Sequence, residues 1–464
     1  MRLRVSSAGA LRGEIDLPGD KSLSHRAALF AALGEGESRL SNFLVAGVTQ
    51  VMLNALTALG VVWELDGSTL SVQGAGLTGL CSPETTIDCG NSATTMRLLA
   101  GLLAYAGLPA ILDGSPGLRR RPMERVVEPL SKMGVPIHAD GGRAPLVFGR
   151  RVKQLEALQY TLPIASAQVK SCLLIAGLAA DGPTRLTEPG PSIDHSERML
   201  RILGLTVVIE ARNGGPIPIH EARGGLYLGV EGYTQVSGNL RYTTHLVPPK
   251  KLSLPFMRFS LPGDISSAAF ILVAALITPG SQVRLRDVLL NPTRTGLLEA
   301  LMTMGADIRI YPTGERQGEP IGDVLVRSSS LRTIQVSGPL VVRMIDEFPA
   351  FAVAAACARG RTFVRDAQEL RHKESNRISA LCSELQHLGI DADETHDGFS
   401  ITGGEQPQGG VVDSHGDHRL AMALTVAGLV CKQPVVVNGA EVISESFPDF
   451  LAVLQSLGAQ VAYD

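Results

Sequence analysis

The chain has 464 residues, 45% hydrophobic and 19% charged, with a formal net charge of -3. Those proportions exclude a disordered chain, and the charge gives no bulk electrostatic footprint for nucleic acid, so any anion binding must come from local cation clusters. Only 4% of residues are aromatic, so an aliphatic, alanine-rich interior is expected.

From the N-terminus, Met1-Arg2-Leu3-Arg4-Val5 runs straight into a strand pattern rather than the apolar core of a secretory signal. Apolar stretches such as residues 96–108 are too short, and too rich in Gly and Ala, to span a bilayer. A cytoplasmic location is therefore expected, with no membrane partner. The six cysteines (Cys81, Cys89, Cys172, Cys357, Cys382 and Cys431) form no C-x-x-C and no Cys/His ligand spacing. They read as reduced, mostly buried thiols.

One pattern then recurs six times. A turn rich in Gly, Ser or Asp opens a helix of small residues, and a second helix ends in an apolar-Gly pair before a strand. The openings are Gly19-Asp20-Lys21-Ser22, Gly90-Asn91-Ser92-Ala93-Thr94, Ser166-Ala167-Gln168, Gly263-Asp264-Ile265, Ile345-Asp346-Glu347 and Gly416-Asp417-His418. The closures are Leu59-Gly60, Met133-Gly134, Leu203-Gly204, Met304-Gly305, Leu388-Gly389 and Leu457-Gly458. Such self-similarity defines repeats of strand, helix, strand, helix and further strands. In the first repeat a helix is expected near residues 49–59, followed by a hairpin around Asp66-Gly67. In the fifth, a helix is expected over 348–358, a strand at 360–364 and a helix from about 373 to 388.

Six repeats divide into two groups of three. The expected fold is α/β (α+β), with two similar domains whose small-residue helices are internal to the sheets. One domain would cover residues 20–236. The other would take 1–19 and 237–464, with the stretch from about 214 to 255 as the return crossing. Substrates would lie in the cleft between them.

Several helix starts carry cations beside their free N–H groups, an arrangement that holds anions. Ser22 and Arg26 lie one helical turn apart with Lys21 at the helix start. Asn91, Ala93 and Thr94 form a second anion-shaped start. Arg119-Arg120-Arg121 precedes Pro122, expected at the first helical position. In Arg371-His372-Lys373-Glu374-Ser375-Asn376-Arg377, helical spacing would flank Glu374 with Lys373 and Arg377. Asp346-Glu347 and Asp417-His418-Arg419 add acids among cations, which suits proton transfer on polyanions.

In chain order, the segments G-D-K-S-L-S-H-R, G-N-S-A-T-T-M-R, R-P-M, S-A-Q-V-K-S, R-H-K-E-S-N-R and D-H-R-L-A-M resemble the 5-enolpyruvylshikimate-3-phosphate synthase family over nearly the full length. The resemblance implies two domains of three βαβαββ units closing on substrate. It implies transfer of the enolpyruvyl group of phosphoenolpyruvate to the 5-hydroxyl of shikimate 3-phosphate, with no metal or organic cofactor. By that similarity Lys21, Asn91, Ala93, Thr94, Arg121, Gln168, Arg377 and Arg419 would hold phosphoenolpyruvate. Lys21, Ser22, Arg26, Ser166, Ala167, Gln168, Ser192, Asp346 and Lys373 would hold shikimate 3-phosphate. Asp346, Glu374 and Lys21 would transfer protons, with Asp346 as base toward the 5-hydroxyl. A monomer is expected.

The chain departs from the family pattern in places. Ala93 stands where many members carry Gly. Ala167 replaces a second Ser, and Val169-Lys170 resembles the glyphosate-tolerant branch. Ile193 replaces a frequent Arg, and Glu445 stands where some members place a phosphate-contacting Lys. Two other functions remain open: enolpyruvyl transfer to a UDP-amino sugar, which uses a reactive loop Cys, and a non-catalytic anion-binding repeat scaffold.

Overall fold

The computed structural model describes residues 1–76, 79–212, 241–249 and 253–464, with short strands at 219–220 and 227–228. Its described strands form six four-stranded sheets and one two-stranded pair. Every four-stranded sheet has the same internal order: an edge strand parallel to its neighbour, then two antiparallel pairings. In the second repeat Ile87–Asp88 runs parallel to Ala110–Asp113, which pairs antiparallel with Leu146–Phe148, and that with Ile137–Ala139. The hairpin expected at Asp66-Gly67 is present, with Asp66 opposite Thr69 and Gly67 at φ +55°. That positive φ is the region where Gly is least strained.

The repeat is completed by exchange of strands between distant parts of the chain. Arg2–Val5 pairs with Val435–Asn438 and Val461–Tyr463, closing the sixth sheet. Arg12–Asp16 lies beside Gln282–Leu289 in the fourth. Arg258–Ser260 runs parallel to Glu35–Ser41 in the first. Arg241–Val247 lies between Thr184–Glu188 and Thr206–Arg212 in the third. This corrects the expected boundary at 236–237, because residues 241–247 and 258–260 pair with the first half. Leu246, Leu254, Met257 and Leu261 belong to the first half's core, whereas Ile265 belongs to the second's. The return crossing therefore falls between Leu261 and Ile265. It lies directly against the outward crossing: Asp20 N donates to Pro262 O at 2.8 Å and Asp264 N to Pro18 O at 2.9 Å. Most of the stretch first expected to cross lies outside the described residues.

Six inner helices fill the two cores: Lys21–Leu33, Ala93–Ala106, Ala167–Gly177, Ile265–Ile277, Phe348–Cys357 and His418–Gly428. Each is buried over most of its length, and each fully buried Leu, Ile or Phe contributes about 1.5–3 kcal/mol. Small residues let these helices approach one another closely. A Cβ on Gly101 would sit 2.5 Å from the Cys172 carbonyl oxygen, so the second and third inner helices touch backbone to backbone. Asp20, Ser92, Ser166, Asp264 and Asp417 cap five of the six by accepting from backbone N–H groups.

Candidate active site

Five of the six inner-helix starts open onto one cleft of about 330 Å³ between the halves. The first half contributes Lys21, Ser22, Arg26, Asn91, Ala93, Thr94, Arg121, Ser166, Ala167, Gln168 and Ser192. The second contributes Asp346, Lys373, Glu374 and Arg419. The fourth helix start does not line this cleft, because its capping Asp264 stands at the crossing beside Arg294.

Cations and carboxylates alternate around the floor. Lys373 Nζ donates to Asp346 Oδ1 at 3.0 Å, with Arg377 Nη1 at 3.5 Å from the same oxygen. Arg419 Nη1 donates to the Asp346 carbonyl at 2.7 Å. Glu374 is held from both halves, by Arg377 Nη2 at 2.6 Å and Arg121 Nη2 at 3.4 Å. Burial alone would raise the Asp346 carboxyl, but Lys373, Arg419 and Arg377 outweigh it and hold it well below the usual carboxylate range. Glu374 behaves alike: burial is overcome by Arg377, Arg121 and His418. Burial, reinforced by Arg419, lowers the pKa of Lys21. Both carboxylates are thus ionised in the free site, while Lys21 is displaced toward easier proton loss.

The sequence-derived residues meet in this cleft with one exception. Arg377 is only 1% exposed and stands behind the wall, its Nε on Asp417 Oδ2 at 2.7 Å. The expected helix from 373 is also corrected, since it begins at Arg377 with Asn376 as its cap. Lys373 has extended backbone after the short turn Gln368–His372. Cations flank Glu374 through this irregular segment, not through helical spacing. Pro122 is not the first helical residue either: it lies two positions before Glu124, where that helix starts. Of the three arginines only Arg121 is buried, and Arg119 pairs with Asp113 outside the cleft.

Several assigned side chains are already committed. Ser192 Oγ donates to Glu188 Oε2 at 2.5 Å. Arg26 donates to Ser196 Oγ and Ser171 Oγ, each at 2.8 Å, and to the Ser22 carbonyl at 3.0 Å. Lys170 is enclosed between Glu188 at 2.7 Å and Glu197 at 2.8 Å, away from the cleft. Gln168 is fixed by donating to Thr94 Oγ1 at 2.8 Å and accepting from Arg97.

Two residues quoted within motifs but given no role also face the cleft. Arg97 braces Gln168 and donates to the Pro122 carbonyl at 3.0 Å. Both ring nitrogens of His418 are buried without a hydrogen-bond partner, as are Nε and Nη2 of Arg121. Buried donors and acceptors left open in this way suit a polar ligand. The adjacency of Arg97 to the Asn91–Thr94 helix start was the available sequence signal.

Behind the cleft, a second polar cluster joins the halves. His195 Nδ1 lies 2.7 Å from Glu319 Oε1, and Asn291 Nδ2 donates at 2.7 Å to both Asp194 and Glu319. Arg294 reaches Asp20 Oδ2 at 3.2 Å and His195 Nε2 at 3.3 Å. Asp194, His195 and Glu319 are close enough together to hold a metal ion. Their ligand atoms are already engaged by Asn291, Arg198 and Arg294, so the cluster is a cation-satisfied bridge.

Known proteins resemble this chain along nearly its full length. The family model described as EPSP synthase (3-phosphoshikimate 1-carboxyvinyltransferase) matches residues 5–220 and 234–454. A 3-phosphoshikimate 1-carboxyvinyltransferase of Geobacter metallireducens is 46% identical over 458 residues, covering 98% of this chain and 99% of that protein. One from Salinibacter ruber is 43% identical, covering 96% and 97%. A solved EPSP synthase from Acinetobacter baumannii superposes with a TM-score of 0.81 at 37% identity, covering all of both chains.

Proposed function

We infer, from the premise that this chain belongs to the EPSP synthase family, how its cleft divides the work of the family's reaction. That reaction moves the enolpyruvyl group of phosphoenolpyruvate to the 5-hydroxyl of shikimate 3-phosphate and releases phosphate, a step toward aromatic amino acids. The observation that carries the reading is the ring of cations around Asp346 and Glu374, assembled from helix starts and turns of both halves.

Shikimate 3-phosphate is assigned to Ser22, Arg26, Ser166, Ala167, Gln168, Ser192 and Lys373, with Lys21 and Asp346 at its reacting edge. The committed hydroxyl of Ser192 would have to leave Glu188 to take part. Phosphoenolpyruvate is assigned to Lys21, Asn91, Ala93, Thr94, Arg121, Gln168, Arg377 and Arg419. For Arg377 this means charge supplied through the wall, unless it exchanges Asp417 for substrate. Arg121, buried and paired with Glu374 without a hydrogen bond, has donors left for the phosphate.

The free site holds Asp346 too acidic to be an effective base. Anionic substrates would occupy Lys373, Arg377 and Arg419, offset their field and bring that carboxylate toward a useful range. Asp346 would then take the 5-hydroxyl proton as oxygen attacks the enol carbon. Lys21, or Glu374 once the substrate anions have raised it to its acid form, would protonate the methylene carbon, giving a tetrahedral intermediate, and would recover the proton as phosphate leaves. The cations stabilise charge developing on phosphate. A phosphate-release assay tests the reading: release should require shikimate 3-phosphate and fail with UDP-N-acetylglucosamine as acceptor. The opposite preference would make this the sister transferase, and no release with either would leave an anion-binding scaffold.

Membership of the glyphosate-tolerant branch is proposed on Ala93, whose methyl lies at the cleft on the second inner helix. Lys170 gives that proposal no direct support, being enclosed by Glu188 and Glu197.

A further inference from the structure

Carboxylates around the cleft have partners. Asp346 has Lys373, Glu374 has Arg377 and Arg121, Glu369 has Arg125 at 2.9 Å, and Asp366 accepts from Gly338 N at 2.9 Å. Glu445 stands apart. It ends the short turn Ala440–Glu445 and lines the cleft half-buried, its side chain making no hydrogen bond or ion pair with any described residue. Its backbone lies against the first half: Glu445 Cα is 3.7 Å from the position a Cβ would take on Gly47. An unpaired carboxylate therefore sits where both halves meet, in the cleft that the substrate phosphate enters.

The groups around it pull in opposite directions. Lys21 and Arg121 favour its ionised form, while Glu374 and Asp417 oppose it. His418 and Arg419 on the neighbouring inner helix face the same cleft. The Gly47–Ala58 helix beside it carries no ionisable side chain, and the Arg2–Val5 strand only exposed Arg2 and Arg4. Glu441 on its own turn is taken by the N-terminal ammonium. Burial first, then Glu374, raises its pKa. A substrate phosphate would add negative charge and draw Lys21 and Arg121 away, both of which favour the neutral acid.

We propose that Glu445 is a specificity residue of the anion site, which takes up a proton as phosphoenolpyruvate binds and so makes affinity for that substrate fall with rising pH. In its acid form it offers an O–H to a phosphate oxygen; in its ionised form it repels that oxygen. The proposal rests on the assignment of phosphoenolpyruvate to Lys21 and Arg121.

The test is the KM for phosphoenolpyruvate at saturating shikimate 3-phosphate, from pH 7 to 9, for the wild type, Glu445→Gln and Glu445→Asp. One linked proton steepens the wild-type rise by up to about tenfold per pH unit relative to Glu445→Gln. At pH 8.5, Glu445→Gln should have a KM roughly tenfold lower or better, with kcat and the KM for shikimate 3-phosphate changing far less. Glu445→Asp should keep the pH dependence. Parallel wild-type and Glu445→Gln profiles, or a loss confined to kcat, would overturn the proposal. Arg121→Lys separates the two levels. If it raises the KM while the Glu445 profiles stay parallel, the site assignment stands and the proton linkage is wrong. If Arg121→Lys also leaves the KM unchanged, both are wrong.

Discussion

Glu319 allows the contact between the halves to be tested thermodynamically. Its buried carboxyl accepts from Asn291 and faces His195 at 2.7 Å across the boundary. Burial, helped by Asp194, pushes its pKa from 4.5 up to about 8, while burial pushes His195 down to about 3. Above pH 6.5, His195 is mostly neutral in the folded and unfolded chain alike. Between pH 6.5 and 8 the folded state keeps a proton on Glu319 that the unfolded state has released. Stability from this group must therefore fall as pH rises through that window. One proton contributes at most about 1.4 kcal/mol per pH unit, or about 2 kcal/mol across the window. For a chain of this length that amounts to roughly 2 °C in Tm. Glu319→Gln removes the titration and keeps the side chain's shape. Scanning calorimetry of both proteins at half-unit steps should show the wild type losing about 2 °C relative to the variant between pH 6.5 and 8. A constant difference, or one of opposite sign, would refute a protonated Glu319 at the boundary.

Glu374→Gln keeps its hydrogen-bonding reach but cannot exchange a proton, so turnover should drop by about 10²–10⁴ with a much smaller loss of substrate affinity. Asp346→Asn should do the same, and near-normal turnover in either would remove that residue from the chemistry. Lys170→Met leaves Glu188 and Glu197 buried without their cation, at about 3–5 kcal/mol of stability; urea unfolding showing less than about 1 kcal/mol would contradict the triad. Ala93→Gly should lower the glyphosate inhibition constant roughly tenfold or more, while the phosphoenolpyruvate KM moves far less. Equal shifts in both would mean that Ala93 serves only the helix, where Ala is favoured over Gly by about 1 kcal/mol.

The repeat was legible because each copy needs the same turn chemistry: a capping residue before a small-residue helix, then Gly where a helix gives way to a strand. Lys21, Arg121 and Arg419 were readable because a cation at a helix start or in a cation-rich turn has a local meaning. The course of the chain between the halves was not. Residues 241–247 and 258–260 complete sheets in the first half through register with strands far back in the sequence, which no local pattern encodes. The helical position of Arg377 relative to Lys373 was misjudged for a related reason. Spacing placed it on a helix with Lys373, but Asn376 caps the helix and turns the preceding residues away. His418 lay within a quoted motif, yet its open ring nitrogens are a property of the packed site alone.

The pairing of Arg2–Val5 with Val435–Asn438 and Val461–Tyr463 has a consequence for biosynthesis. This strand is synthesised well over 400 residues before either of its partners. At about 5–20 residues per second, it waits on the order of 20–90 s with both edges unpaired. No described strand near either terminus pairs in the first half's sheets, so that half can collapse during that interval. The charged side chains of Arg2 and Arg4, both exposed in the finished sheet, make the waiting segment a poor template for edge-to-edge association. Removing Arg2–Val5 or Val461–Tyr463 would take a strand from the same sheet, the internal one in the first case and an edge in the second.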